Sequence, residues 1–224
     1  MPLSDRDYMR PERPDRGYRQ SGRSLNFSLS PLVLIIIANL ILYIATLVAG
    51  EGQYPWGDFQ LIIADKFTYY LGLIPYYFAE RPWTLITAMF IHADFWHFFF
   101  NMIVLFFFGR ALSGFIGQNK LMLVYFVGGI AGNGLYLLLG DSLSVAVGAS
   151  GAVYAVAGAL TMIAPRIRVL LYFIVPVPLW IVVLVFFVIW SFVPGVAWQA
   201  HIGGLVVGLI AGYFFRKRGR YYVF

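Results

Sequence analysis

The chain has 224 residues, of which 61% are hydrophobic, 19% are aromatic and only 12% are charged. A soluble domain of this length cannot cover so much apolar surface, whereas a polytopic membrane protein has lipid as its solvent. The net charge of +6 does not indicate nucleic-acid binding, because the basic residues flank apolar runs. The absence of cysteine excludes disulfides and a thiol nucleophile.

Both ends of the chain are polar. Residues 1–27 are rich in Arg, Asp, Pro and Gly, which predicts a disordered cytoplasmic tail. No apolar run follows a short basic start, so we expect no signal peptide, and the acidic residues of the tail argue against a mitochondrial presequence. Residues 28–216 are predicted to form one membrane domain, and 217–224 a basic cytoplasmic C-terminus. These features favour a multi-pass protein of a prokaryotic plasma membrane.

Six apolar segments are predicted to cross the bilayer as helices, which makes the fold class all-α. They cover residues 31–50, 91–112, 120–139, 149–164, 169–191 and 200–215. Segments of about 20 residues fit a hydrocarbon core about 30 Å thick. The fourth is the shortest and the richest in small residues, which predicts a position inside a ring of other helices. Residues 51–82 mix charged and aromatic residues, which predicts an interfacial loop with short amphipathic helices.

The distribution of positive charge predicts the orientation. With six spans, 14 of the 16 Lys and Arg residues fall on one side, and the other side holds Lys66 and Arg81. Because positive charge accumulates in cytoplasmic loops, both termini are predicted to be cytoplasmic. The second, fourth and sixth spans then all begin at the outer face.

Polar residues cluster at this outer end. Ser150 begins the fourth span, His201 begins the sixth, and His97 and Asn101 lie early in the second. Ionisable groups inside a membrane are costly and are functional candidates. A serine needs a base to become nucleophilic, and no carboxylate inside a span is available to complete a triad, so a dyad of Ser150 and His201 is predicted. His97 and Asn101 share a helix face, and with the Ser150 N–H they can form an oxyanion hole.

Small residues support contact between the fourth and sixth spans. Gly204, Gly208 and Gly212 recur every four residues, and Gly151 and Ala155 lie on the fourth span. Such spacing lets membrane helices approach closely. Each feature alone also has a structural interpretation: glycines pack helices, an asparagine bridges them, and a serine caps a helix start. The joint pattern favours serine-protease chemistry.

Three sequence strings carry a resemblance to a known family. The segments His92–Asn101, Gly148–Gly151 and Ala200–Gly204 resemble, in order and spacing, the motifs of the rhomboid family of intramembrane serine proteases. The resemblance extends over roughly residues 31–215. It implies a bundle of six transmembrane helices that cleaves transmembrane segments of membrane proteins near the outer face of the bilayer, without cofactor or metal.

The same resemblance implies individual roles. Ser150 is expected to be the nucleophile and His201 the general base, while His97, Asn101 and the Ser150 N–H are the expected oxyanion donors. The supporting residues implied by the family are a tyrosine that stacks on the catalytic histidine, the glycine of the nucleophile motif and a structural or water-binding histidine: Tyr154, Gly148 and His92.

Two positions depart from the family pattern. Thr84 follows Trp83 where rhomboids often have arginine, and Ser113 stands between Gly109 and Gly117 where they often have glutamate. Both positions are structural in the family, so the departures concern loop anchoring and the cytoplasmic end of the second span.

Other functions remain as alternatives. The main one is a catalytically inactive rhomboid relative that binds membrane proteins, although such relatives generally lack the serine or the histidine. A channel or transporter is disfavoured because no inverted repeat is visible. A zinc site is disfavoured because there is no His-Glu-x-x-His motif. An aspartyl protease would need two buried aspartates.

Overall fold

The computed structural model describes residues 29–56, 60–171 and 174–216. The predicted tail and the predicted basic C-terminus lie outside these ranges. In chain order the elements are α1 (Pro31–Ala49), β1 (Glu51–Trp56), β2 (Gln60–Asp65), α2 (Lys66–Leu71), α3 (Thr84–Thr87), α4 (Phe95–Ile116), α5 (Gln118–Leu139), α6 (Ser150–Ile163), β3 (Arg168–Leu171), β4 (Val175–Pro178), α7 (Leu179–Ser191) and α8 (Trp198–Phe215). Short 3₁₀ turns lie at Pro75–Tyr77 and Ala88–Phe90.

Within the described ranges four helices, α1, α4, α5 and α8, are long and apolar enough to cross a membrane, and α6 and α7 are shorter apolar helices. The predicted helical membrane fold is therefore confirmed, while the count of six crossings stays a prediction. The predicted bounds of α1, α5, α6 and α8 are correct to within two residues at each end. α4 begins at Phe95 instead of residue 91, because the Asp94 side chain accepts a hydrogen bond from the His97 N–H at 2.9 Å and caps the helix.

Helix α6 forms the centre of the structure. Twelve of its 14 residues are buried, as the composition of the fourth span predicted. A helix that is apolar on every side needs neighbours on every side, and its alanines and glycines let them come close. Helices α4, α5 and α8 are among those that pack against it. The residue at its N-terminus, Ser150, therefore lies among several helices.

The fifth predicted span, 169–191, is wrong over its first part. Strands β3 and β4 pair antiparallel there, from Arg168 opposite Pro178 to Leu171 opposite Val175, and helix α7 begins only at Leu179. Pro176 and Pro178 explain the difference, because proline lacks the N–H that a helix interior requires but is tolerated in an edge strand. Within α7, residues Val182–Phe187 form a π-helical segment.

Residues 51–82 were predicted to be an interfacial loop with short amphipathic helices. Short helical elements are present there as α2 and the 3₁₀ turn at Pro75–Tyr77, but an antiparallel hairpin of β1 and β2 precedes them and was not predicted. α3 and the second 3₁₀ turn lie beyond the predicted range. Glu51 pairs with Asp65 at the open end of the hairpin. The Asp65 side chain then accepts from the Thr68 N–H at 2.9 Å, so that α2 starts directly where β2 ends.

Arg81 anchors this loop through its aromatic residues. Its guanidinium carbon lies 4.2 Å, 5.1 Å and 4.5 Å from the ring centroids of Tyr69, Tyr70 and Tyr77. One guanidinium N–H also donates to the Tyr69 carbonyl at 2.8 Å. Thr84, the departure from the family pattern, donates its hydroxyl to the Arg81 carbonyl at 2.7 Å. Arginine anchoring of the loop is thus present, from a position three residues earlier in the chain.

We expect Arg81→Lys to lower the melting temperature of the detergent-solubilised protein. An ammonium group cannot lay a flat face on three rings, and the loss should be about 1–2 kcal/mol, from the cation–π contacts and one hydrogen bond. Thermal unfolding measures it. Arg110→Lys is the matched control, because Arg110 is exposed on α4, and it should leave the melting temperature unchanged. Equal melting temperatures for both variants would contradict this role of Arg81.

Candidate active site

Ser150 and His201 meet at the N-terminal ends of two helices. Ser150 is the first residue of α6, and His201 lies in the first turn of α8. The Ser150 Oγ and the His201 Nε2 are 2.8 Å apart, a hydrogen-bond distance. His201 is buried with 6% of its surface exposed. The pair is therefore close enough for direct proton transfer, and the His201 ring is largely shielded from water.

The glycines of α8 make this contact possible. A Cβ atom on Gly204 would overlap the carbonyl oxygen of Gly151, and one on Gly208 would overlap that of Ala155. At Gly212 the nearest atom, the Ala159 carbonyl oxygen, would be 2.6 Å away. The backbones of α6 and α8 are thus in direct contact along one stripe, which confirms the contact predicted from the glycine spacing.

The segment before Ser150 is fixed by the loop between α1 and α4. Ala146 and Leu73 exchange two backbone hydrogen bonds of 2.9 Å and 3.0 Å, and the Gly148 N–H donates to the Ala88 carbonyl at 2.9 Å. Gly148 has a φ of +121°, a conformation that residues with a Cβ rarely adopt. The nucleophile motif therefore needs glycine here, and the loop holds the motif in place.

His97 lies beside Gly148. A Cβ on Gly148 would be 2.7 Å from both Cε1 and Nε2 of His97 and 3.6 Å from the Ser150 Oγ. The structure therefore brings the His97 ring next to the serine. Asn101, one turn further along α4, is 7% exposed and donates through Nδ2 to the His97 carbonyl at 2.8 Å. Nδ2 carries two hydrogens, so one N–H of Asn101 remains for another acceptor.

The backbone of α6 adds further donors. Its first helical hydrogen bond runs from the Val153 N–H to the Ala149 carbonyl at 2.9 Å. The N–H groups of Ser150, Gly151 and Ala152 therefore precede the helical hydrogen-bond ladder, as at every helix start. This end of the helix also carries the positive pole of the macrodipole, which favours negative charge near the Ser150 Oγ.

Tyr154 packs against His201, and His92 packs against His97. The Tyr154 ring stacks on His201 with centroids 4.2 Å apart and planes 20° apart, and its hydroxyl donates to the Phe187 carbonyl at 2.7 Å. His92 packs edge-on against His97 at 5.2 Å. Burial lowers the pKa of His92 to about 3, so this ring is neutral at physiological pH.

One polar residue at the site was not predicted from the sequence. Ser191, the last residue of α7, is fully buried, and its Oγ lies 3.0 Å from the His201 Nδ1. It stands in the apolar run Val188–Val193, where a single hydroxyl gives little local signal. Its position ten residues before His201, across a tight connection between two helices, is the one feature that could have indicated it.

The described ranges contain no group of three His, Asp or Glu side chains arranged to hold a metal ion. The departure at Ser113 lies outside the site: its hydroxyl donates to the Arg110 carbonyl of its own helix at 2.9 Å and is exposed.

Comparisons with known proteins match this chain to rhomboid proteins. A family model described as the Rhomboid domain matches residues 79–218, which is more than half of the chain. RHOMBOID-like protein 12, mitochondrial, of Arabidopsis thaliana is 32% identical over 211 residues, covering 84% of this chain and 58% of its own length. Rhomboid protein 1, mitochondrial, of Saccharomyces cerevisiae is 31% identical over 159 residues, covering 60% of this chain and 42% of its own length.

A bacterial relative is similar over a shorter stretch. The putative rhomboid protease YdcA of Bacillus subtilis is 42% identical over 78 residues, covering 34% of this chain and 38% of its own length. Across these matches the chain spans 38% to 58% of the length of the curated relatives.

Proposed function

The chain belongs to the rhomboid family, and on that premise we propose that it is an intramembrane serine endopeptidase with Ser150 as nucleophile and His201 as general base. The observation that carries the proposal is the 2.8 Å hydrogen bond between the Ser150 Oγ and the His201 Nε2. A bacterial relative whose name describes it as a putative rhomboid protease also supports it.

In the first step, the Ser150 Oγ attacks the carbonyl carbon of the scissile peptide bond while its proton passes to the His201 Nε2. The same nitrogen then returns the proton to the leaving amine, the C–N bond breaks, and an ester remains on Ser150. In the second step His201 takes a proton from water, the resulting hydroxide attacks the ester carbonyl, and the C–O bond to Ser150 breaks. His201 then returns the proton to the Ser150 Oγ, which leaves the free serine and a carboxylic acid product.

The charge that develops on the carbonyl oxygen needs hydrogen-bond donors. We assign this role to the His97 ring, the free N–H of Asn101 and the backbone N–H of Ser150. The closeness of His97 to Ser150 around Gly148 supports the assignment, as does the start of α6 at Ser150. Donors fixed in advance in a buried site stabilise a tetrahedral intermediate strongly, and one donor is worth about 10²–10³ in kcat.

Three further residues support this machinery. Tyr154 holds the plane of the His201 ring by stacking on it. Gly148 leaves room for the His97 ring, and neutral His92 packs against that ring without adding charge. We propose a structural role for His92 on this basis.

The proposed substrates are transmembrane segments of other membrane proteins. A helical substrate has its carbonyl groups in hydrogen bonds, so the segment near the scissile bond must unwind before Ser150 can attack. Helix-breaking and small residues near the cut are expected for that reason. Cleavage near the outer face depends on the orientation predicted from positive charge; that orientation, the cytoplasmic termini and the prokaryotic membrane stay predictions. The chain itself is an integral membrane protein.

The test is cleavage of single-span substrates in reconstituted liposomes by the wild type and by Ser150→Ala, together with labelling by a fluorophosphonate probe. We expect both cleavage and labelling to disappear in Ser150→Ala. Ser142→Ala, at an exposed position in the loop before α6, is the matched control and should keep both. Cleavage that persists in Ser150→Ala would contradict the assignment of the nucleophile. A folded wild type that neither cleaves several substrates nor reacts with the probe would favour the inactive binding protein.

A further inference from the structure

His201 makes a second hydrogen bond that a dyad mechanism leaves without a role. Its Nε2 faces Ser150, and its Nδ1, on the other side of the ring, lies 3.0 Å from the Ser191 Oγ. Ser191 is fully buried, so this hydroxyl has no contact with bulk water. It comes from α7, a helix that carries none of the residues assigned to the mechanism.

The direction of these hydrogen bonds follows from the chemistry. A neutral imidazole carries one proton, so Nε2 can accept the Ser150 proton only if the ring proton is on Nδ1. That proton then needs an acceptor, and the Ser191 oxygen is at the right distance. The Ser191 hydroxyl hydrogen is directed elsewhere, to the Phe187 carbonyl at 2.9 Å. Ser191 can therefore accept from His201 and donate to the backbone at the same time.

The Tyr154 hydroxyl belongs to the same group of contacts. It donates to the same Phe187 carbonyl at 2.7 Å and lies 3.2 Å from the Ser191 Oγ, within reach of the Ser191 hydroxyl as a second acceptor. The ring of Tyr154 stacks on His201. The plane of the imidazole and its Nδ1 proton are thus held by one connected group of residues, formed by Ser191, Tyr154 and the Phe187 carbonyl.

We propose that Ser191 is a positioning residue for the reaction, which keeps the His201 ring proton on Nδ1 and so keeps Nε2 free to accept the Ser150 proton. This inference rests on the proposed function, because it assigns Ser191 through the role of His201. When Nε2 takes up the proton, the ring becomes positively charged and the Nδ1–H···Oγ hydrogen bond becomes charge-assisted and stronger. Ser191 therefore also stabilises the transition state, although less than a carboxylate at the same place would.

The test compares Ser191→Ala with Ser191→Thr, which keeps the hydroxyl. We expect Ser191→Ala to lower kcat about 10- to 100-fold with KM nearly unchanged, and to slow fluorophosphonate labelling of Ser150 in parallel. Ser191→Thr should restore most of both rates. The matched control is Thr161→Val. Like Ser191, Thr161 has a buried hydroxyl that donates to the carbonyl four residues earlier, here that of Ala157 at 2.8 Å. Thr161→Val should keep wild-type rates.

A second measurement determines directly which ring nitrogen of His201 carries the proton. The chain has three histidines, so ¹⁵N-histidine NMR at pH 8 can resolve His201, assigned by its loss in His201→Gln. A proton on Nδ1 in the wild type and a mixture of tautomers in Ser191→Ala are expected. A wild-type proton on Nε2, or wild-type kcat in a folded Ser191→Ala, would overturn the inference. If Ser191→Ala does not fold, the wild-type spectrum alone decides.

The two proposals fail in different ways. Cleavage by Ser150→Ala would remove the proposed function and with it the basis for Ser191. Loss of activity in Ser150→Ala, combined with full activity in Ser191→Ala, would remove only the inference about Ser191 and leave the dyad in place.

Discussion

Replacing Gly204 with alanine should remove activity by separating the two halves of the dyad. The new Cβ would overlap the Gly151 carbonyl oxygen, an atom of the residue that directly follows Ser150. Backbone cannot rotate away as a side chain can, so α8 must move back from α6. His201 lies one turn before Gly204 on the same helix, and its 2.8 Å contact with Ser150 would lengthen. Displacements of about 1 Å in an active site can cost about 100-fold in rate, so we expect a loss of at least about that size in both cleavage and probe labelling.

Two alanine variants are controls that distinguish a change in the Ser150–His201 distance from a general effect on helix packing. Gly212→Ala also crowds α6, with the Ala159 carbonyl oxygen 2.6 Å away, but it lies about three turns from His201. It should lower the melting temperature, since overpacking costs about 1–3 kcal/mol, and should reduce activity much less than Gly204→Ala. Gly134→Ala on α5 has nothing within 4 Å and should be active and slightly stabilised. Wild-type labelling by a folded Gly204→Ala would contradict the role of this close approach.

The meeting of α6 and α8 was predictable because it depends on local features. Glycine at 204 and 208 fixes which face of α8 can approach another backbone, and the apolar length of each span fixes how deep its end lies. Together these two features predict Ser150 and His201 at a similar depth on facing helices, and in the structure the two side chains lie 2.8 Å apart. The family resemblance adds their roles, but the contact itself follows from residue size and span length.

The β3–β4 hairpin was missed because apolarity does not distinguish strand from helix. Residues 169–175 form a continuous apolar run that joins the run of α7, and such a run is compatible with either structure. The prolines at 176 and 178 were the signal against a helix, since each removes a backbone donor. The anchoring by Arg81 was missed for another reason, because its three tyrosine contacts depend on how the loop folds back on itself.

Ser191 was not predicted because its role depends on the connection between two helices. Nothing in the run Val188–Val193 indicates which way the hydroxyl points, and a serine inside an apolar helix usually bonds its own backbone. Ser191 does so, with the Phe187 carbonyl as acceptor. The chain returns through residues 192–197 into α8, and this return brings the His201 Nδ1 within hydrogen-bond distance of the Ser191 Oγ.

Gly148→Ala should lower kcat about 10²–10³-fold by displacing His97. At a φ of +121° any Cβ is strained, and here it would also lie 2.7 Å from the Cε1 and Nε2 atoms of His97. The ring must rotate away from the place where the oxyanion forms, which removes one donor. KM should change little, because the lost interaction is made mainly in the transition state. Cleavage kinetics with a reconstituted single-span substrate measure both constants.

Two comparisons isolate the cause of that loss. Gly195→Ala introduces a Cβ at a φ of +83° with nothing within 4 Å, so it carries backbone strain without a clash and should keep its kcat. The double variant Gly148→Ala/His97→Ala removes the ring that the new Cβ would strike. If Gly148 acts through His97, the two effects on kcat are not additive, and the double variant should be about as active as His97→Ala alone. Additive losses would instead mean that Gly148 acts through the backbone of the nucleophile motif. A strained peptide at Gly148 would disturb the hydrogen bond from the Gly148 N–H to the Ala88 carbonyl.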